Sequence, residues 1–237
     1  MKHILSLITA SFLASHAALA AADRPLLVSV PVRNVFIPAG FDDNDNVQVV
    51  LEGAFTDTCY RLAHTEVLKS GNDQEFEIVQ WARKFPGICI PTTVPFKSEV
   101  SLGRLVSGTY KIEAVGVSAA SLEVIRAAAN SQDDYIYAPV SAASVGRRNT
   151  GHYVATLTGT LPNGCFTVDR TEVLRQEKVL VVLPVIKYDD SGECRSEPQP
   201  FEVAVNLPTD LTAGKYLLHV RSMSGKATNV VFFADGD

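Results

Sequence analysis

The chain has 237 residues, of which 46% are apolar and 20% charged, and it carries a net charge of −5. That mild acidity argues against nucleic acid or anionic lipid as the main partner, since both draw basic patches. The length suits either two domains of about 100 residues each or one larger β domain.

The first twenty residues read as an export signal. Lys2 gives a short positive start, Ile4 to Leu13 are mostly apolar, and Ala18-Leu19-Ala20 supplies the small-x-small pattern that a signal peptidase cuts. Residues 1–20 are therefore expected to be removed after Ala20. No Cys stands at the cut, which speaks against a lipid-anchored lipoprotein. No later stretch reaches the roughly 18 apolar residues of a membrane-spanning helix, so no transmembrane anchor is expected. The mature protein is placed in the periplasm or outside the cell.

After the signal, the sequence is written twice. "FTDTCYRLAHTEVL" at 55–68 is answered by "LPNGCFTVDRTEVL" at 161–174. Extending the match keeps it in register: Gly53 pairs with Gly159, Cys59 with Cys165, Cys89 with Cys194 and Phe96 with Phe201. Leu105, Gly108 and Tyr110 pair with Leu211, Gly214 and Tyr216, and Pro31-Val32 with Pro139-Val140. The offsets hold at 105 or 106 across these matches, apart from the last pair, too long a period for a solenoid, so the copies are complete globular units. They span 26–127 and 135–235, joined by a small, polar linker at 128–134.

Each copy reads as short strands. "NVQVVLEGAF" and "EFEIVQWA" in the first copy, and "HYVATLTGTL" and "KVLVVLPVI" in the second, are rich in β-branched residues and bounded by turns. "TYKIEAVGV" and "KYLLHVRSM" alternate with the two-residue period of a half-buried strand. "SLEVIRAAAN" is the one helix-like stretch, but its counterpart "TNVVFFA" is strand-like, so it is expected to be a final strand entering the linker. Seven or so strands per copy predict two tandem Greek-key antiparallel β-sandwiches. The sharpest cue is Leu-x-x-Gly-x-Tyr before a strand, at Leu105–Tyr110 and Leu211–Tyr216. It resembles the tyrosine corner of Greek-key sandwiches. With it, the chain resembles bacterial exported proteins built from immunoglobulin-like or fibronectin-III-like domains. The resemblance covers both copies and implies a fold, with no catalytic residues to carry over. The chain departs from true immunoglobulin domains in its shorter Cys spacing and in having no Trp after the first Cys.

Four Cys in an exported protein invite disulfides. The repeat selects Cys59–Cys89 and Cys165–Cys194 from the three pairings, giving each copy its own bridge, worth roughly 3–4 kcal/mol. A redox or metal site is the alternative, but there is no Cys-x-x-Cys and no His at a ligand spacing. The repeated Thr-Glu-Val-Leu has a packing reading first: a strand whose Val and Leu face the core and an inter-sheet edge.

Signals of chemistry are few. His64, His152 and His219 are scattered, and no nucleophile elbow, phosphate loop or dinucleotide fingerprint occurs. No cofactor is expected. Asp42, Asp43 and Asp45, in "FDDNDN", form the densest oxygen-ligand cluster. They could hold Ca²⁺ or simply build a turn, although the EF-hand template fails at Val47 and Gly53. Residues found in one copy alone are where a particular activity would sit. Trp81, the lone Trp, aligns with Ile186 or Lys187 and either stacks on a ligand or packs at a sheet edge.

The sequence thus points to a non-enzymatic exported protein that binds, or supports, another macromolecule, a protein or glycan. A periplasmic pilus-type chaperone, which lends a strand to its client, is the main alternative. A hydrolase with loop-borne residues is the third.

Overall fold

A computed structural model describes residues 24–71, 73–128, 135–149, 151–189 and 194–236. The signal residues 1–20 and nearly all of the linker lie outside the described residues. The first copy contributes β1 (Leu26–Val30), β2 (Val32–Phe36), β3 (Phe41–Asp42), β4 (Val47–Phe55), β5 (Tyr60–Lys69), β6 (Glu75–Lys84), β7 (Val94–Gly103), β8 (Gly108–Ala114) and β9 (Val117–Ile125). The second contributes β10 (Val140–Arg147), β11 (Tyr153–Leu161), β12 (Phe166–Gln176), β13 (Val179–Tyr188), β14 (Gln199–Asn206), β15 (Gly214–Ser222) and β16 (Lys226–Ala234). No helix occurs among the described residues, and the helix-like "SLEVI" is the end of β9.

Each copy folds as two facing sheets. In the first, β5-β6-β8-β9-β3, with β1 also on β6, faces β2-β4-β7. In the second, β12-β13-β15-β16 faces β10-β11-β14. The all-β sandwich expectation holds, with one refinement. β6 pairs with β8, and β13 with β15, in parallel. A parallel pair needs a crossover, and β7 and β14 in the opposite sheet provide it. Strand periodicity reports which face is buried, not which strand lies alongside.

The repeated residues have repeated jobs. Gly53 faces Phe96 and Gly159 faces Phe201 across adjacent strands. A Cβ at Gly53 would overlap the Phe96 ring, and one at Gly159 would overlap both the Pro139 carbonyl oxygen and the Phe201 ring, so only glycine lets the ring cover the strand. The Tyr110 hydroxyl donates to the Val106 carbonyl at 2.7 Å, which makes the tyrosine corner real in the first copy. In the second, Tyr216 instead meets the Thr212 hydroxyl at 3.3 Å and Lys178 Nζ at 3.0 Å. Burial raises the pKa of both phenols. At Tyr216 the bonds from Thr212 and Lys178 outweigh burial and bring it below the ordinary value, whereas Tyr110 stays above it. In Thr-Glu-Val-Leu, Val67 and Val173 pack against the two cores while Leu68 and Leu174 point outward. Val thus faces the core as expected, and strand alternation turns the Leu expected at an inter-sheet edge to the outer face.

The sandwiches are stacked face to face. Phe36 and Val50 on the outer face of β2-β4-β7 pack against Val179, Val181, Leu183, Val185 and Leu217 on β13 and β15. The molecule is therefore four sheets deep, and its two middle sheets are covered on both sides. Polar groups lock the stack. Lys215 Nζ sits 2.7 Å from the buried Glu52, which also accepts from Asn34 at 2.7 Å. Arg221 bonds Asp45 at 3.1 Å, donates to the Gly40 carbonyl and lies 4.9 Å over the Phe41 ring. His219, almost wholly buried beside it, shares a 2.7 Å hydrogen bond with Asn229. Burial, reinforced by Arg221 and opposed by Asn229, holds its pKa down at about 4.

Candidate functional site

The residues singled out as ligands in the sequence fall into three places. Asp42 and Asp45 are buried at the contact between the sandwiches. The Asp42 carboxylate accepts from the amides of Asn44 at 2.8 Å and Asp45 at 3.2 Å, and Asp43 accepts from Ala127 at 2.9 Å. Asp45 accepts from the Asp42 amide at 3.0 Å and pairs with Arg221. Turn formation and docking of the second sandwich thus account for these acids. This also explains why the second copy, which makes the reciprocal contact with different strands, lacks them.

Trp81 lies half-buried on the outer face of β6. Its indole N–H donates to Glu66 at 3.0 Å, and the exposed His64 ring stacks on it at 6.1 Å. Strand pairing corrects its counterpart. Thr65 opposes Gln80 and Thr171 opposes Pro184, so Trp81 corresponds to Val185, not to Ile186 or Lys187. Each pair carries one extra residue at its bulge, but the turn from Lys69 to its partner Phe76 is two residues longer than that from Arg175 to Leu180. That difference shifts the alignment.

The four Cys form the expected bridges, with Cα separations of 5.4 Å for Cys59–Cys89 and 5.0 Å for Cys165–Cys194. Among the described residues, the one grouping of metal-type ligands is Asp57, Cys59 and Cys89. Its sulfurs are bonded to each other, and the Asp57 carboxylate accepts from the Cys59 amide at 2.9 Å.

Sequence reasoning passed over the surface that this first bridge creates. The loop 85–93 between β6 and β7 is pinned to the Thr58-Cys59 turn by the disulfide. Three hydrogen bonds add to it: Phe85 N to Cys59 O at 2.9 Å, Thr58 N to Ile90 O at 3.2 Å, and Ile90 N to Thr58 Oγ1 at 3.0 Å. Pro86 and Pro91 stiffen it further. Held this way, its apolar side chains cannot fold back. Ile88 is fully exposed, Ile90 is 64% exposed, and Phe85 is exposed as well. β1 adds Leu26, at 67%, and Leu27. An open depression of about 520 Å³ beside them is lined by Phe55, Tyr60, Leu62 and Phe96.

Cations ring this tip. Leu26, Lys84 and Tyr60 lie in one row across β1, β6 and β5, and Leu27, Arg83 and Arg61 in the next. Arg24 stands two residues before Leu26. Lys84 Nζ is 5.2 Å over the Tyr60 ring, and Arg61 donates to the Thr58 and Tyr60 carbonyls at 2.9 and 2.7 Å. The second copy keeps the same pins, with Gly164 N to Arg195 O at 2.8 Å and Asp189 N to Cys165 O at 2.9 Å. The sequence there differs: aligned on the Cys, Glu193 and Arg195 answer Ile88 and Ile90. The missed signal was "FPGICIPTT" against "DDSGECRSEP", an apolar loop set against a charged one.

Two stacked, disulfide-clamped sandwiches with one apolar end define a tandem β-sandwich protein. The family model of the ORF11 beta-sandwich domain matches it twice, over residues 49–124 and 155–232, which fall within the two sandwiches. The chain belongs to that family. No curated protein and no solved structure matches it.

Proposed function

We propose that this is a non-enzymatic binding module that acts after export and engages a macromolecular partner through the tip of its first sandwich. The observation that carries this reading is the rigidly pinned loop 85–93, with Ile88 and Ile90 presented outward on a disulfide-bonded frame. Scattered surface hydrophobics are ordinary. Several gathered on one stiff end, beside cations, mark an interaction site. The second sandwich, whose outer face is consumed by the stack, acts as the base. Two disulfides fit the oxidising setting expected after export. Among the described residues, no helix is long and apolar enough to cross a membrane.

Strand lending in the manner of a pilus chaperone has less support. Two of the sheet edges, β5 and β12, are each broken by a bulge, a device that turns an edge away from an added strand.

A photo-crosslinking residue placed at position 88, with the same residue at the exposed position 106 as control, tests the reading in the exporting cell. Adducts at 88 and none at 106 are expected. A position 88 that captures neither protein, glycan nor lipid contradicts it.

A further inference from the structure

Resting on that reading, we infer that the partner of the tip is an anionic bilayer surface, on which the first sandwich docks end-on. The chain as a whole is acidic, at −5, yet its apolar end carries Arg24, Arg61, Arg83 and Lys84. Among the described residues, none of these four cations forms a salt bridge. Arg61 and Arg83 stand directly opposite each other on adjacent strands, an arrangement that costs stability in the free protein and that an external layer of anions relieves.

The order of groups along the strands matches the layers of a membrane. Ile88, Ile90 and Phe85 lie outermost, where they would enter the acyl boundary. The cationic rows come next, level with the headgroup phosphates. Trp81 lies three residues behind Lys84, about 10 Å back along β6, within the interfacial zone where Trp and Tyr settle. Apolar contact plus electrostatic attraction is the combination that holds interfacial segments on membranes. The whole-chain charge argued against anionic lipid because it averages this end with the acidic remainder.

The test uses the exported, processed protein, its N-terminus verified by mass so that no signal residue remains. It is mixed with phosphatidylcholine vesicles made with and without phosphatidylglycerol. Co-sedimentation only with the anionic vesicles is expected, together with a blue shift in the emission of Trp81, the sole Trp. Added salt should weaken it. Ile88→Ser with Ile90→Ser should reduce binding about tenfold or more, and Arg61→Ser or Arg83→Ser about fivefold each. Val106→Ser, an equally exposed apolar site elsewhere, should change nothing. All these residues are on the surface, so unaltered urea midpoints serve as the folding control.

Absence of phosphatidylglycerol-dependent binding overturns the inference, and so does binding that survives both the Ile and the Arg changes. Vesicles ignored while position 88 crosslinks to protein would also overturn it, yet leave the binding module standing. No vesicle binding and no adduct would remove both.

Discussion

β6 and β13 are the same strand written for two surroundings. Their inward residues correspond as core to core: Phe76, Ile78 and Ala82 against Leu180, Val182 and Ile186. Their outward residues part company. β6 shows Glu75, Glu77, Val79 and Trp81 to its open face, whereas β13 shows Val179, Val181, Leu183 and Val185, all of them packed on the other sandwich. A strand buried on one face alternates, and one buried on both reads as a continuous apolar run. The duplication thus left one copy to be covered and the other to keep a free face and a free end.

Exchanging outward residues breaks that comparison most severely. Val181→Glu, which copies Glu77 into the second sandwich, buries an unpaired carboxylate between sheets and should cost about 4 kcal/mol or more by urea denaturation. The mirror change, Glu77→Val, should stay within about 0.5 kcal/mol. Equal effects in the two strands would mean that the sandwiches do not share a face.

His219 sharpens the same contact through pH. Its ring is held neutral with a pKa of about 4, against an ordinary 6.5. Its contribution to stability is complete above 6.5 and lost as pH falls from there to about 4, amounting to about 3 kcal/mol. Unfolding measured across that range should show a steeper acid loss in the natural protein than in His219→Gln. Parallel curves would contradict the buried neutral ring.

Gly53→Ala and Gly159→Ala probe what the copies share. Gly53→Ala drives a methyl into the Phe96 ring and should cost about 1–3 kcal/mol, and Gly159→Ala, which meets the Pro139 carbonyl oxygen as well as the Phe201 ring, should cost more. The tyrosine corner contributes less. Tyr110→Phe loses one hydrogen bond, about 1 kcal/mol.

Much of this was legible in the sequence. The repeat located both bridges, because Cys59 and Cys165 stand at equivalent points, and the Tyr110 string marked a sandwich. The parallel β6–β8 pair was not legible, since alternation carries no record of neighbours. The stacking left a trace in "VLVVLPVI" that reads equally as a buried strand of a single sandwich. Trp81 was matched to the wrong residue because the β5–β6 turn is two residues longer than the β12–β13 turn, and a change of turn length leaves no mark in strand periodicity. The apolar tip was hidden by its own disulfide: "ICI" centres on a Cys that explains itself, and a net charge of −5 gives no hint of four cations at one end.

The central claim is that the two sandwiches form one body joined through the outer face of β13. Cutting the chain at a protease site introduced within residues 128–134 and passing the product over a sizing column tests this most directly. The two fragments should elute together, at the volume of the uncut protein. Elution as two separate half-size species would contradict it.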